Sequence, residues 1–172
     1  MSRLDRTWAP EPMLFGAFAP VQPRNLEEYW NRVKPHEWAE ILSQFRLFAG
    51  IPRRKLRKLI ARARIVDYVP GETVLEQGTP GDSLYVILSG SAKARGKPAA
   101  RVLGVGDYFG ELSILDEAPR SAAVVATSEL QVMRIERAAF LRLAQRYPVM
   151  SLKMAGNLGS QVRRLEARLA QP

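Results

Sequence analysis

From Ile65 to Ile135 the sequence runs in short stretches of β-branched and aromatic residues, broken at close intervals by Gly, Pro, Asp and Ser. That grammar is the signature of a sandwich or barrel of short strands. Strands are expected at 65–69, 73–76, 83–88, 91–95, 100–103, 107–109, 121–127 and 129–135. Arg95-Gly96-Lys97-Pro98 supplies a tight turn between two of them, with Gly96 free to take positive φ.

Helical spacing frames this segment on both sides. Trp38, Ile41, Leu42 and Phe45 recur with helical period between Pro35 and Phe48, and Gly50 ends that run. Pro52 starts a second helix whose Leu56, Leu59, Ile60 and Ala63 form one stripe. After the strands, Glu136 to Tyr147 reads as a helix with Ala139, Phe140, Leu143 and Ala144 inward, and Pro148 breaks it and opens a last helix. There Met154, Leu158, Val162, Leu165 and Leu169 make a stripe that must bury itself against something. It spans only about two heptads and is marginal alone, so it either packs on the strands or pairs with a second copy. The expected architecture is therefore mainly β with flanking helices: an arm over 1–34, helices over 35–64, strands over 65–135 and C-terminal helices over 136–170. The arm carries Pro10, Pro12, Pro20 and Pro23 among Trp8, Phe15, Phe18, Tyr29 and Trp30, and is expected to be extended and to dock on its own domain or a partner. Asn25 is placed to cap a short helix within it.

Composition narrows the function. Hydrophobic residues at 47% and charged residues at 25% suit a soluble globular chain of 172 residues. No apolar run reaches the length of a membrane span, and the N-terminus lacks a signal peptide's continuous apolar core, so a cytoplasmic location is expected. The absence of cysteine removes disulfides and thiolate chemistry. A single histidine, His36, lies outside the strand segment and suits a surface or capping role. It can neither assemble a histidine metal site nor serve a Ser/His/Asp triad among the strands, so neither an enzyme nor a metal is expected. The formal charge of +9 is unevenly spread: Arg53, Arg54, Lys55, Arg57, Lys58, Arg62 and Arg64 form one block with no acid among them. That block is either a solvated face of a packed helix or an electrostatic site for an acidic partner.

The stretch Tyr108 to Ala123, YFGELSILDEAPRSAA, carries the chemistry. Gly110 lets backbone approach a ligand, and residues 111 to 115 have room for about one helical turn whose free N–H groups would face an anion. Arg120 supplies a planar fork of donors matched to phosphate oxygens. A carboxylate at Glu111 would repel phosphate, so it should accept from something neutral such as a ribose hydroxyl. A phosphate beside a sugar is a nucleotide.

These residues closely resemble the phosphate-binding cassette of cyclic nucleotide-binding domains, F-G-E-[LIV]-[AS]-L followed after a few residues by P-R-[STA]-A. Phe109, Gly110, Glu111, Leu112, Ser113, Pro119, Arg120, Ser121 and Ala122 fit it, and Ile114 is a conservative departure. Pro70-Gly71-Glu72, Gln77-Gly78, Gly81-Asp82-Ser83-Leu84-Tyr85 and Ser89-Gly90 match the family's upstream strands and turns in order, so the resemblance runs from about Phe45 to Leu169. It implies an eight-stranded jelly-roll β-barrel with N-terminal helices and C-terminal hinge and lid helices that move when ligand arrives. The ligand it implies is cAMP or cGMP. Threonine is the commoner residue at the position of Ser121 in cGMP-selective relatives, which favours cAMP here. Phe109 to Ser113 and Arg120 to Ala122 are the expected ligand contacts, with Arg163, Arg164 or an apolar neighbour in the lid expected to cover the base.

Bacterial cAMP receptor proteins of this family place a helix-turn-helix after the lid. The last helix ends beside Pro172, so sequence-specific DNA binding is not expected. The expectation is a stand-alone bacterial sensor of a cyclic purine nucleotide that signals to a separate protein partner. The alternative is an interaction module that keeps the fold without needing a ligand.

Overall fold

The computed structural model describes residues 35–96 and 100–170. The proposed arm over 1–34 lies outside them. Helix α1 spans Pro35–Gln44 and α2 spans Arg53–Ile60, joined by turns that end at Gly50 with φ of 87°. Eight strands follow: β1 Arg64–Tyr68, β2 Thr73–Leu75, β3 Ser83–Ser89, β4 Ala92–Arg95, β5 Arg101–Leu103, β6 Tyr108–Phe109, β7 Ala123–Ala126 and β8 Leu130–Glu136. A short helix α3, Glu111–Asp116, interrupts them, and α4 Arg137–Arg146 and α5 Val149–Leu169 close the described chain.

The strands form two four-stranded sheets, ordered β1-β8-β3-β6 and β2-β7-β4-β5, and their pairings are antiparallel. Alternate residues of both sheets meet in one core: Tyr85, Ile87, Phe109, Leu130 and Val132 from the first, Leu75, Ala92, Leu103, Val124 and Ala126 from the second. This is the jelly roll. In β3 the alternate residues Leu84, Val86 and Leu88 are buried as well, because α3 and α4 cover the outer face of that strand. A strand covered on both sides needs apolar residues throughout, and the run Leu-Tyr-Val-Ile-Leu supplies them.

Two expectations change. Gly96 does not adopt left-handed φ; a Cβ there would stand 3.3 Å from the Cβ of Ala122, so its role is to be small beside the residue that leads into β7. The expected turn's Lys97 and Pro98 lie outside the described residues. In α5, burial stops at Met150 and Met154, and beyond Leu158 the expected stripe comes out into solvent at Val162 and Leu169. The helix runs past the body it packs on, which leaves its second half without a full apolar neighbour.

Candidate functional site

Gly110 fixes the geometry of the cassette. It caps α3 in the left-handed region at φ 80°, and a Cβ there would lie 2.5 Å from Nη1 of Arg120. Gly81 is equally constrained from the opposite side, its virtual Cβ falling 2.5 Å from the Arg120 guanidinium. The two glycines make a slot. Arg120 fills it, buried, with Nη1 donating to the Gly110 carbonyl at 2.8 Å and Nη2 to the Ser83 carbonyl at 2.9 Å. Its guanidinium carbon stands 5.8 Å from the centroid of Tyr85, whose ring stacks on Phe109 at 5.3 Å. Burial pulls the guanidinium below its ordinary pKa, and Tyr85 and Asp82 push back.

Glu111, the first residue of α3, is buried too. Desolvation raises its carboxyl above the usual carboxylate range, against the lowering influence of its own backbone N–H, Arg101, Gln161 and Arg120. Gln161 of α5 faces it, yet the buried Nε2 of Gln161 completes no hydrogen bond of ordinary geometry. Glu111 and Arg120 do not form an ion pair: Arg120 donates to the backbone carbonyls of Gly110 and Ser83.

Between these two side chains lies a cleft of about 330 Å³. All eight residues expected from the sequence line it: Phe109, Gly110, Glu111, Leu112, Ser113, Arg120, Ser121 and Ala122. So do residues the sequence did not single out, namely Arg101 of β5 and Gln161 and Arg168 of α5, together with Leu165, which the sequence offered only as part of an apolar stripe. Of the two arginines expected over the base, Arg164 lines the cleft, whereas Arg163 turns to Ser160 on the helix surface. Positions 161, 164, 165 and 168 share one face of α5, the spacing i, i+3, i+4, i+7 that could have revealed them. Helix α5 thus lies over the cassette. The far end of α3 is tied to the start of α4, where Arg137 donates through Nε to the Ile114 carbonyl at 3.0 Å and pairs with Glu117.

A slot for a buried cation, a buried carboxylate across the cleft and a helical turn opening on a left-handed glycine are the parts of a nucleotide-phosphate cassette. Residues 65–147 match the family model described as the cyclic nucleotide-binding domain. The chain carries a cyclic nucleotide-binding domain. It is similar to the CRP-like cAMP-activated global transcriptional regulator of Mycobacterium tuberculosis, with 33% identity over 76% of this chain and 61% of that protein. It is also similar to the cAMP-dependent protein kinase regulatory subunit of Colletotrichum orbiculare, with 41% identity over 48% of this chain and 23% of that one. Among solved structures, the regulatory domain of Toxoplasma gondii PKA, co-crystallised with cAMP, superposes with a TM-score of 0.66 at 26% identity, over 73% of this chain and 50% of that one. The chain spans less than two thirds of the length of each. These relatives are regulators rather than enzymes. Among the described residues no cluster of His, Cys, Asp and Glu gathers to hold a metal, and no helix is long and apolar enough to cross a membrane.

Proposed function

We propose that this domain is a cytoplasmic sensor that binds cAMP in the cleft beneath α5 and passes the arrival of ligand to a separate protein partner through the C-terminal helices. One observation carries the proposal: a buried cation and a buried carboxylate face one cleft without neutralising each other. Arg120 spends two of its N–H donors on backbone and keeps the others for a phosphate, helped by the free N–H groups of the first turn of α3. Glu111 is desolvated and suits the ribose 2′-hydroxyl, while Arg164 and Leu165 reach the side where the base would lie. The choice of cAMP rests on Ser121 and on the descriptions of the three relatives. For the output, Arg137 connects α3 to α4, so a shift of the cassette helix pulls on the first helix after the strands.

Side-by-side calorimetry with cAMP and cGMP tests the ligand. Tighter binding of cAMP is expected, with a melting shift equivalent to about 2.7 kcal/mol at 100 times the Kd. A tenfold preference for cGMP would overturn the choice of nucleotide, and no heat with either would leave the ligand-independent interaction module.

Pairing through α5 belongs to the same proposal. Because Leu165 lines the cleft, the cleaner probes are Val162 and Leu169, which stand in solvent. In sedimentation, V162E/L169E is expected to be a monomer where the parent is a dimer; a parent that is already monomeric rules the pairing out.

A further inference from the structure

The seven cations between Arg53 and Arg64 take no part in the ligand cleft. Helix α2 turns Leu56 and Leu59 inward and leaves Arg53, Arg54, Arg57 and Lys58 in solvent. This placement works against stability. Arg53, Arg54 and Lys55 occupy the first turn of α2, at the positive end of its dipole, with Pro52 as cap and no acid nearby in sequence to offset them. Further on, Arg64 of β1 stands directly opposite Arg134 of β8 in the antiparallel register, where like charges repel. Arg62, Arg64, Arg134 and Glu136 enclose a second cleft of about 140 Å³. Arg53 pairs with Glu40 and Arg134 with Asp82, but Arg54, Lys55, Arg57, Lys58, Arg62 and Arg64 form no ion pair among the described residues.

The Arg53–Glu40 pair and the last-turn position of Arg57 and Lys58 offset part of this charge, and an anionic group arriving from outside would relieve the repulsions that remain. We propose that the exposed face of α2, together with the Arg62/Arg64 cleft, is a docking surface for an acidic segment of a partner protein, carrying Asp, Glu or phosphorylated side chains. Guanidinium forks match carboxylate and phosphoryl groups alike. The signs within the band select the kind of partner. Glu40, Asp82 and Glu136 stand among the cations and divide them into separate positions. A peptide sets its anionic groups at intervals and brings N–H donors for the interspersed acids, while the unbroken charge of a phosphodiester backbone would meet those carboxylates. Nor does the segment 53–64 expose a large apolar residue for stacking on bases or entering a bilayer. The surface is separate from the nucleotide cleft, but α2 packs against α4, so a partner held here sits beside the helix proposed to carry the output.

The test is fluorescence anisotropy of a labelled octaglutamate peptide against the full chain, at about 50 and about 300 mM salt. Binding at the lower salt, weaker at the higher, is expected, and R54E/R57E/K58E should lower affinity by about tenfold or more. R54Q/R57Q/K58Q keeps helix propensity and guards against a variant that fails to fold; it should lose affinity in the same direction with a melting temperature no lower than the parent's. Absence of peptide binding, binding indifferent to both triple substitutions, or tighter binding of a short DNA duplex or of vesicles rich in anionic lipid at the same salt would overturn the proposal. Cyclic nucleotide titration of the same variants should match the parent, which separates a failure here from a failure of the sensor proposal.

Discussion

Arg120→Ala is expected to weaken cyclic nucleotide binding by two orders of magnitude or more, and also to lower the melting temperature of the empty protein. The first effect follows from two charge-assisted hydrogen bonds to the cyclic phosphate, each of a kind worth about 1.5–3 kcal/mol, at about 1.4 kcal/mol per tenfold. The second follows from where the side chain sits. Its guanidinium fills the slot left by Gly81 and Gly110 and bridges the carbonyls of Ser83 and Gly110. Truncation removes both donors from a buried place, at about 1–3 kcal/mol for each carbonyl left unsatisfied. Arg120→Lys separates the two roles. An ammonium keeps the charge but cannot hold two carbonyls and a phosphate in one plane, so it should recover part of the thermal stability and little of the affinity. Calorimetry well below the melting temperature, paired with thermal denaturation, reads both quantities. A folded Arg120→Ala protein with parental affinity would remove Arg120 from the site.

The strands were legible because their punctuation is local. Gly71, Gly78, Gly90 and Gly106 all take the left-handed φ that a turn between strands asks of glycine, and the expected strand limits fall within about two residues of those found. The cassette was legible as a set, since Phe109 to Ser113 and Arg120 to Ala122 converge on one cleft. What sequence could not give is long-range. The contact of Arg120 with the Ser83 carbonyl joins residues 37 positions apart, and nothing in Arg-Ser-Ala announces it. Gly96 looks like a turn glycine locally, but its place is decided by Ala122, just before β7. The last helix misleads for a similar reason. Its apolar stripe suggests continuous burial, yet where a helix stops touching the body is set by the size of that body, and past Leu158 the face turned to the cleft is the mixed one of Gln161, Leu165 and Arg168.

Glu111→Gln should act in the opposite way to Arg120→Ala, weakening the cyclic nucleotide while leaving the empty protein as stable as the parent or more so. Desolvation raises the Glu111 carboxyl above its ordinary value, which means that the folded state disfavours its charge. The sign of the linkage follows: the folded form holds the proton more tightly than the unfolded one, so this group's contribution to stability is greatest below the unfolded pKa and is lost as pH rises through the raised folded pKa. A neutral amide escapes that loss at neutral pH. Ligand reverses the balance, because a ribose 2′-hydroxyl donates best to the ionised carboxylate. Affinity for the cyclic nucleotide should therefore fall as pH is lowered through the raised Glu111 value, sooner than an ordinary carboxylate would cause, and the Gln variant should lose that part of the pH profile. At neutral pH the substitution replaces a charged acceptor by a neutral one, a loss of about tenfold or more in affinity. A 2′-deoxy analogue never makes the bond, so parent and variant should bind it nearly alike. Calorimetry with both ligands on both proteins completes a cycle in which only the carboxylate–hydroxyl contact differs. If Glu111→Gln weakens the 2′-deoxy analogue as much as the parent nucleotide, or destabilises the empty protein while affinity stays unchanged, Glu111 is a structural residue and the ribose contact must be sought elsewhere in the cleft.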